Sequence, residues 1–540
     1  MNRIYSHQMS ISWQGLKKLT ETRAGLLLII SLSAILRGLI IISQPDAVIN
    51  FDGVRYISAA KQFAVGHFRE GLAMYPMPFY PSLIGFVHYF VPNWLIAARL
   101  ISLLSLVLVV IPLYMLIRDL FNRRAAFWGC LMFALSPLSM SLTTEVMREP
   151  IFALFFVWAV YFAQKAIYSK RVVNLLAAAV FAWASMLCRL EGIVLLPVYL
   201  VTLVGLAIIK RTEMKIYLRH AFIWFVVAVC LLITISAMGK AATIVTGRYG
   251  EYGDQAEGFL EFKILDHYRH IHAELERMEE ASPHGWCQNF AGTAKRFIGT
   301  IYLLGLLQHL VQALFVVNMI PLFWGLRRSP LHETHVFVLI LAFSYLAGIY
   351  YFFVQNDFLV QRFLLVPALL LYAWVGMGIG AMLDFVRRLG YGELLSGVLV
   401  TVLLLSPANK FNHLYKKSDD SVVRAGVWLA KQPELVDARV ISTDPTIFYY
   451  AEREISYDGT GKSLRVGSPW GYKGDARFNG LEQAALAKDV DVIVVSTTVR
   501  REVALDNSEK YRKLKEFTGK KDKIVIYCAS DYMDGTKDVR

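Results

Sequence analysis

Between residues 24 and 407 the chain returns again and again to apolar runs of membrane-crossing length, and this repetition constrains the fold more than any single motif. A helix needs about 20 mostly apolar residues to cross ~30 Å of hydrocarbon. Such runs, some of them short, lie at 24 to 43, 93 to 117, 125 to 144, 150 to 168, 172 to 188, 191 to 209, 221 to 239, 297 to 320, 335 to 354, 363 to 386 and 394 to 407. Lipid satisfies no backbone polar group, so these runs predict an α-helical polytopic membrane protein with about 11 transmembrane helices. Composition agrees: 56% hydrophobic and 18% charged residues exclude a soluble enzyme or a disordered chain. The first run follows some twenty polar residues and is trailed by no small-residue cleavage site, which predicts a retained helix rather than a signal peptide.

The net charge of +14 would suggest nucleic acid in a soluble chain, but the basic residues sort by loop. Clusters at Lys17, Lys18 and Arg23, at Arg118, Arg123 and Arg124, at Lys165, Lys170 and Arg171, at Lys210, Arg211, Lys215 and Arg219, at Arg327 and Arg328, and at Arg387 and Arg388 flank every second run. Positive-inside segregation places those ends and the N-terminus in the cytoplasm. The charge then reports topology, with the membrane as partner and no nucleic acid. Residues 1–407 form one transmembrane domain with extracytoplasmic loops 44–92 and 240–296, and 408–540 form an extracytoplasmic domain.

In that tail, β-branched runs at 439–443, 490–496 and 524–528 alternate with helical patterns at 422–431, 481–487 and 508–517, which predicts a small α/β domain with a partly parallel sheet. The run Asp458-Gly459-Thr460-Gly461-Lys462 lacks the spacing of a phosphate loop and reads as a turn. Cys130, Cys188 and Cys230 fall in apolar runs as small hydrophobes, while Cys287 and Cys528 fall outside, where oxidation is permitted but pairing is not expected. The stretch from Asp266 to Glu280 puts His267, His270 and Glu274 at helical spacing, yet its density of charge reads as a solvated helix rather than a metal site.

Loop 44–92 is where chemistry is expected. Phe51-Asp52-Gly53-Val54-Arg55-Tyr56 leads into a helical pattern suited to the interface plane. Tyr75-Pro76-Met77-Pro78-Phe79-Tyr80-Pro81 predicts an extended aromatic strip, because its prolines oppose a regular helix. Further charges gather at the same outer rim: Arg99, Glu145, Arg148, Glu149, Arg189, Glu191 and Arg362. Hydrocarbon satisfies none of them, so acids and bases from several helix ends describe a cavity for an anionic, amphipathic substrate.

In order and side, these residues resemble the GT-C glycosyltransferases that use polyprenyl-phosphate sugars, a group including protein O-mannosyltransferases and the lipid A aminoarabinose transferase. Asp52 with Gly53-Val54-Arg55-Tyr56 resembles the acidic motif of their first extracytoplasmic loop, and Tyr80-Pro81 the end of that loop. Ala97-Ala98-Arg99-Leu100 is similar to the Arg opening their second helix, and Phe121-Asn122-Arg123-Arg124 to their cytoplasmic turn. Arg148-Glu149-Pro150 resembles the second acidic site, Arg189-Leu190-Glu191-Gly192 an Arg-Pro-Glu-Gly stretch, and Arg362-Phe363 with Pro367 an Arg-Tyr and Pro segment. Three departures stand out: Gly53 occupies the place of a frequent second carboxylate, Glu149 replaces a more usual Asp, and Met77-Pro78-Phe79 stands where some members have Lys-Pro-Pro.

The resemblance implies a membrane glycosyltransferase that moves a sugar from a polyprenyl-phosphate donor to an extracytoplasmic lipid, glycan or protein acceptor, in a bacterial inner membrane. Asp52 would be the base and Glu149 a second catalytic carboxylate. Arg362 and Arg99, with Arg189, Glu191, Arg148 and Tyr80, would bind donor phosphate and substrate, and a divalent metal shared by Asp52 and Glu149 is a possible cofactor. The plainer alternatives are an Asp52 that caps a helix, arginines that snorkel, and a Glu149 that pairs with Arg148 or Arg189. Other functional classes are a polysaccharide ligase or polymerase, a secondary transporter, or a non-catalytic membrane scaffold.

Overall fold

The computed structural model describes residues 20–44, 49–246, 264–330, 332–389, 392–407, 421–453, 463–465, 485, 489–498, 505, 508–519 and 522–533. The Gly and Lys run at 458–462 and most of the helix expected at 481–487 lie outside these residues. The chain divides into two compact units, one of residues 1–42 and 99–414, the other of residues 43–98 and 415–540.

The first unit is helical. It contains α1 (Arg23–Ser43); after the second unit's α2 to α4, it resumes with the end of α5 (Trp94–Leu108), α6 (Val110–Leu120), α7 (Arg123–Ala134), α8 (Pro137–Ser141), α9 (Glu149–Ser169) and α10 (Val172–Cys188). Then come α11 (Leu195–Ile209), α12 (Met214–Thr246), α13 (Ile264–Ala281), α14 (Gly285–Leu314), α15 (Met319–Arg328), α16 (Glu333–Asn356), α17 (Leu365–Arg387) and α18 (Gly392–Leu405). Among the described residues, eight helices are long and apolar enough to cross a membrane, and α10 and α18 are shorter apolar helices.

Two of the expected crossings are broken. Residues 125 to 144 form not one helix but α7 and the short α8, separated at Leu135 and Ser136. Pro137 opens α8, where its missing N–H leaves no intrahelical bond unmade. The crossing expected at 297 to 320 is kinked at Phe297, stops at Leu314 and resumes at Met319, with Phe315 at a positive φ of 68° between the two parts. Sequence windows average across such breaks.

The middle of this unit is α17, buried along nearly its whole length. Glycine allows its neighbours to approach backbone to backbone: a Cβ at Gly376 would lie 2.1 Å from the Ala125 carbonyl of α7, and one at Gly378 1.8 Å from the Pro321 carbonyl of α15. Small residues are the means by which helices pack closely where no hydrophobic effect drives them together.

The second unit joins the first loop to the tail. The loop folds as α2 (Phe51–Ala64), α3 (Phe68–Met74) and α4 (Phe79–His88). Only Tyr75 to Pro78 keep the expected non-helical course; Tyr80 and Pro81 fall in the first turn of α4, where proline is tolerated. The tail contributes α19 (Ser421–Ala430), β1 (Val440–Ser442), α20 (Thr446–Tyr450), β2 (Ser463–Arg465), β3 (Val492–Thr498), β4 (Tyr511–Thr518), β5 (Asp522–Ala529) and α21 (Ser530–Met533). The sheet order is β2-β1-β3-β5-β4, with β1 parallel to β2 and β3 and the other pairs antiparallel. Ile441, Ile493, Val495, Val525 and Tyr527 pack into one buried core. The backbone N–H of Ile49, just before α2, donates to the Tyr450 hydroxyl of α20 at 2.9 Å, so loop and tail share one body.

The helix expected at 508–517 is a strand. Tyr511, Leu514 and Phe517 recur every third residue, which mimics a helix face, but a bulge between Lys513 and Lys515 absorbs the odd residue and keeps β4 in register.

Candidate active site

Within the helical unit, the residues between α8 and α9, between α10 and α11, and between α16 and α17 bring their charges together. Glu149 is the first residue of α9, and the turn that delivers it ends at Pro150 inside the helix start. A carboxylate is favoured there by the N-terminal end of the helix dipole. Glu149 is only 4% exposed. Its Oε1 accepts from Arg189 Nη1 and lies 3.4 Å from Arg362 Nε, while its buried Oε2 has no hydrogen-bond partner.

Arg189 sits in extended backbone between α10 and the 3-10 turn Leu190–Val194. Besides Glu149 it bonds Glu191, with Nε 3.1 Å from Oε1, so one guanidinium bridges two carboxylates. Arg362, in the 3-10 turn Gln361–Leu364 that precedes α17, directs Nη1 to Met147 Sδ at 3.1 Å. The Phe363 ring lies 5.1 Å from the Arg189 guanidinium and 5.6 Å from that of Arg362, close enough for cation–π attraction. Arg148 donates to the Cys188 carbonyl at 3.4 Å. Arg99, 1% exposed, donates through Nε to the Thr144 carbonyl at 2.9 Å and so holds the turn that leads to Glu149.

Three guanidinium groups, on Arg148, Arg189 and Arg362, thus gather around two carboxylates, on Glu149 and Glu191. The plainer reading of Glu149 is met at Oε1, which pairs with Arg189, but not at Oε2. Glu145 lies in a turn rather than a helix, so it does not share a helical face with Glu149.

In the second unit Asp52 occupies the second position of α2, with Asn50 at the N-cap, so Asp52 is not the cap. Tyr80 is buried, edge-on to Tyr56 with ring centroids 5.2 Å apart, and Tyr56 meets Tyr75 at 4.8 Å. The Arg55 guanidinium lies 5.7 Å from the Tyr75 ring. These aromatic contacts fix the face of α2 opposite to solvent.

The histidine-rich stretch is a helix, α13, as its charge pattern predicts. His267 Nε2 lies 2.8 Å from Asp357 Oδ2, and Asp357 also accepts from the Tyr302 hydroxyl. Lys295 of α14 meets Glu276 and Glu279 at 3.5 and 3.0 Å. Among the described residues no three His, Cys, Asp or Glu side chains are grouped to hold a metal. Glu149 does not fit a cation on its own, since Oε1 already faces two guanidinium groups. All five cysteines are free.

One charged residue escaped the reading of the sequence. Arg37, inside the first apolar run, is fully buried in the bundle. A lone Arg in a membrane span was the available signal.

This arrangement defines a membrane-embedded helical bundle with a polar, cation-rich site at its helix ends, built with the GT-C fold. Residues 76–238 match the family model described as dolichyl-phosphate-mannose-protein mannosyltransferase. ArnT from Cupriavidus metallidurans bound to undecaprenyl phosphate is similar over 93% of this chain and 97% of its own, at 14% identity and a TM-score of 0.55. The Archaeoglobus fulgidus oligosaccharyltransferase, tethered with an acceptor peptide, is similar over 87% of this chain and 68% of its own, at 12% identity and a TM-score of 0.56. A second structure of that archaeal enzyme, AglB, with an inhibitory peptide and a dolichol-phosphate, superposes equally well, at 12% identity and a TM-score of 0.56. No curated protein matches by sequence. The chain shares the fold of lipid-linked glycosyltransferases and resembles those that depend on polyprenyl phosphates.

Proposed function

We propose that this protein transfers a sugar from a polyprenyl-phosphate donor to a hydroxyl of a lipid, glycan or protein acceptor. The observation that carries this reading is the convergence of two guanidinium groups, of Arg189 and Arg362, on one oxygen of the buried Glu149, whose other oxygen has no hydrogen-bond partner. A sugar phosphodiester carries one negative charge; when its bond to the anomeric carbon breaks, the departing polyprenyl phosphate keeps the electron pair and gains a second. Fixed cations aimed at that oxygen stabilise the transition state more than the ground state. Arg362 and Arg189, each shared with Glu149 in this structure, are proposed to meet that charge. The acceptor oxygen attacks the anomeric carbon and its proton passes to Asp52, a role that rests on the resemblance of the 52–56 motif. The unpartnered Oε2 of Glu149 suits a hydrogen bond from the acceptor. No step is routed through a metal.

The full-length likeness to ArnT, which binds undecaprenyl phosphate, supports a donor of this class. The segregation of basic clusters supports an inner-membrane orientation with a cytoplasmic N-terminus and with loop 44–92 and the tail outside. Cysteines introduced at Ser58 and Ser508 and labelled from intact cells test this; labelling only after the membrane is opened reverses it.

Purified protein incubated with polyprenyl-phosphate sugars and, separately, with nucleotide sugars tests the donor. Transfer from the lipid-linked donor alone is expected, and transfer from a nucleotide sugar alone overturns the reading. Asp52→Asn is expected to slow turnover by ~10²–10⁴-fold while donor binding persists; unchanged turnover removes Asp52 as the base.

A further inference from the structure

Residues 134–149, between the end of α7 and the start of α9, contain only the single turn of α8, yet most of them are buried and none is exposed. Non-helical backbone at membrane depth must have its polar groups met by protein. Much of this is done inside the segment, but three carbonyls take donors from other helices, Ala134 from Arg37, Thr144 from Arg99 and Glu145 from Ser102, so a buried arginine stands toward each end.

Arg37 of α1 reaches the first end. Its Nη1 donates to Ser33 Oγ at 2.7 Å and to the Ala134 carbonyl at 3.4 Å, and its Nη2 donates to Ser139 Oγ at 3.0 Å. The Ser139 hydroxyl in turn donates to the Phe133 carbonyl at 2.8 Å. The Ala134 carbonyl at the end of α7 is thereby held by a cation, as the negative end of a helix dipole favours, and the Phe133 carbonyl by the hydroxyl that the same cation contacts. The connection continues along the segment: the Thr143 hydroxyl donates to the Ser139 carbonyl at 3.2 Å, and the Thr144 N–H to the Ser141 carbonyl at 3.3 Å. At the far end the Thr144 carbonyl accepts from Arg99.

Every acceptor of Arg37 is neutral, and its buried Nε has no acceptor at all. An uncompensated guanidinium inside an apolar bundle is a poor source of stability, since an apolar side chain of similar size would fill the space without the loss of hydration. What a methionine would not supply is a fork that ties a helix end to a serine five residues later. The segment then delivers Met147, on which Arg362 rests, and Glu149 itself.

We propose that Arg37 is a positioning residue: with Arg99 it clamps residues 134–149 from both ends and fixes Glu149 and Arg362 in the geometry the transfer requires. The kinetic part of this inference rests on the proposed transfer reaction; the clamp itself does not.

The experiment has two arms. In the first, Met147→Cys, buried in the clamped segment, is labelled with a small maleimide in detergent, with and without Arg37→Met, and the adduct at residue 147 is followed by peptide mass spectrometry, because native thiols such as the exposed Cys230 also react. Loosening of the segment is expected to raise the labelling rate at least ~10-fold while the melting temperature still reports a folded protein. An unchanged rate overturns the clamp, whether or not any transfer is detected. In the second arm, Arg37→Met in the otherwise native chain is expected to lower kcat by ~10–100-fold with the donor KM within about twofold, as a displaced catalytic group does. Arg37→Lys restores little, because an ammonium cannot span two acceptors as a planar fork does. In a Glu149→Gln background the same substitution is expected to cost under about twofold; losses that simply multiply mean a general structural role and overturn the positioning assignment. If Arg37→Met does not fold, Ser139→Ala, which removes one acceptor and keeps the charge, carries both arms with the same sign and a smaller effect. Absence of any transfer by the native protein refutes the proposed function, and the labelling arm still decides the clamp.

Discussion

Charge is handled in opposite ways at the two kinds of helix end in the bundle. Where the basic clusters lie, it is matched one to one near solvent: Lys210 with Glu333, Lys170 with Glu213, and Arg124 with Asp384. These pairs tie neighbouring helix ends together, and their side chains are 20–51% exposed. At the other set of ends, Arg189 and Glu149 are both under 10% exposed, Arg189 is shared between two acids, and Arg362 reaches the same oxygen of Glu149. Exposed pairs in water gain little and cost little. A buried, shared pair loses hydration, and the Glu149 oxygen without a hydrogen-bond partner marks where this network is left incomplete.

The sharpest way to break this contrast is Arg189→Met. It strands the buried Glu149, while Glu191 keeps access to solvent, and a loss of roughly 3–5 kcal/mol of stability is expected, as for other half-removed buried pairs. Thermal unfolding in detergent measures it; a protein as stable as the native one means that the site is wetter than its burial indicates. Arg362→Leu should act mainly on the ligand. Loss of a charge-assisted hydrogen bond to phosphate predicts donor binding weaker by roughly 10–100-fold, read by titration with the polyprenyl phosphate. Unchanged affinity would leave Arg189 and Arg148 as the phosphate partners.

Gly378→Ala probes the helix that connects the two kinds of end. The new Cβ meets the Pro321 carbonyl, and about 1–3 kcal/mol of overpacking is expected, seen as a lower melting temperature with donor affinity retained. A loss of affinity instead would mean that α17 transmits its packing to Arg362. The smallest effect is expected from Lys210→Met at an exposed pair, about 1 kcal/mol or less. Turnover should be unchanged; a large loss there would abolish the distinction between the two ends.

Much of the bundle was legible as sequence because each helix announces itself locally. Apolar runs of the right length, the alternation of basic clusters and the clustering of rim charges need no knowledge of neighbours. Breaks were less legible: the turn at Phe315 falls inside an apolar stretch where hydropathy stays high although the helix ends, and Ser136 and Pro137, which mark the stop after Ala134, are averaged away by a window of membrane-crossing length. In the tail, three strands of β-branched residues were readable, but β4 was not, since its bulge turns a period of two into an apparent period of three.

Hydropathy and charge along the chain are enough to place it in a membrane and to put its charged residues at helix ends, and they single out Asp52, Glu149, Arg189 and Arg362 as candidates for the chemistry. Which charges meet is settled by packing: Arg189 bridges Glu149 and Glu191, one oxygen of Glu149 has no hydrogen-bond partner, and Arg37 reaches across to Ser139. Burial in lipid is a property of each run of residues taken alone. A partner for a buried charge is chosen among residues as far apart as 149 and 362, and that choice is made by how the helices pack.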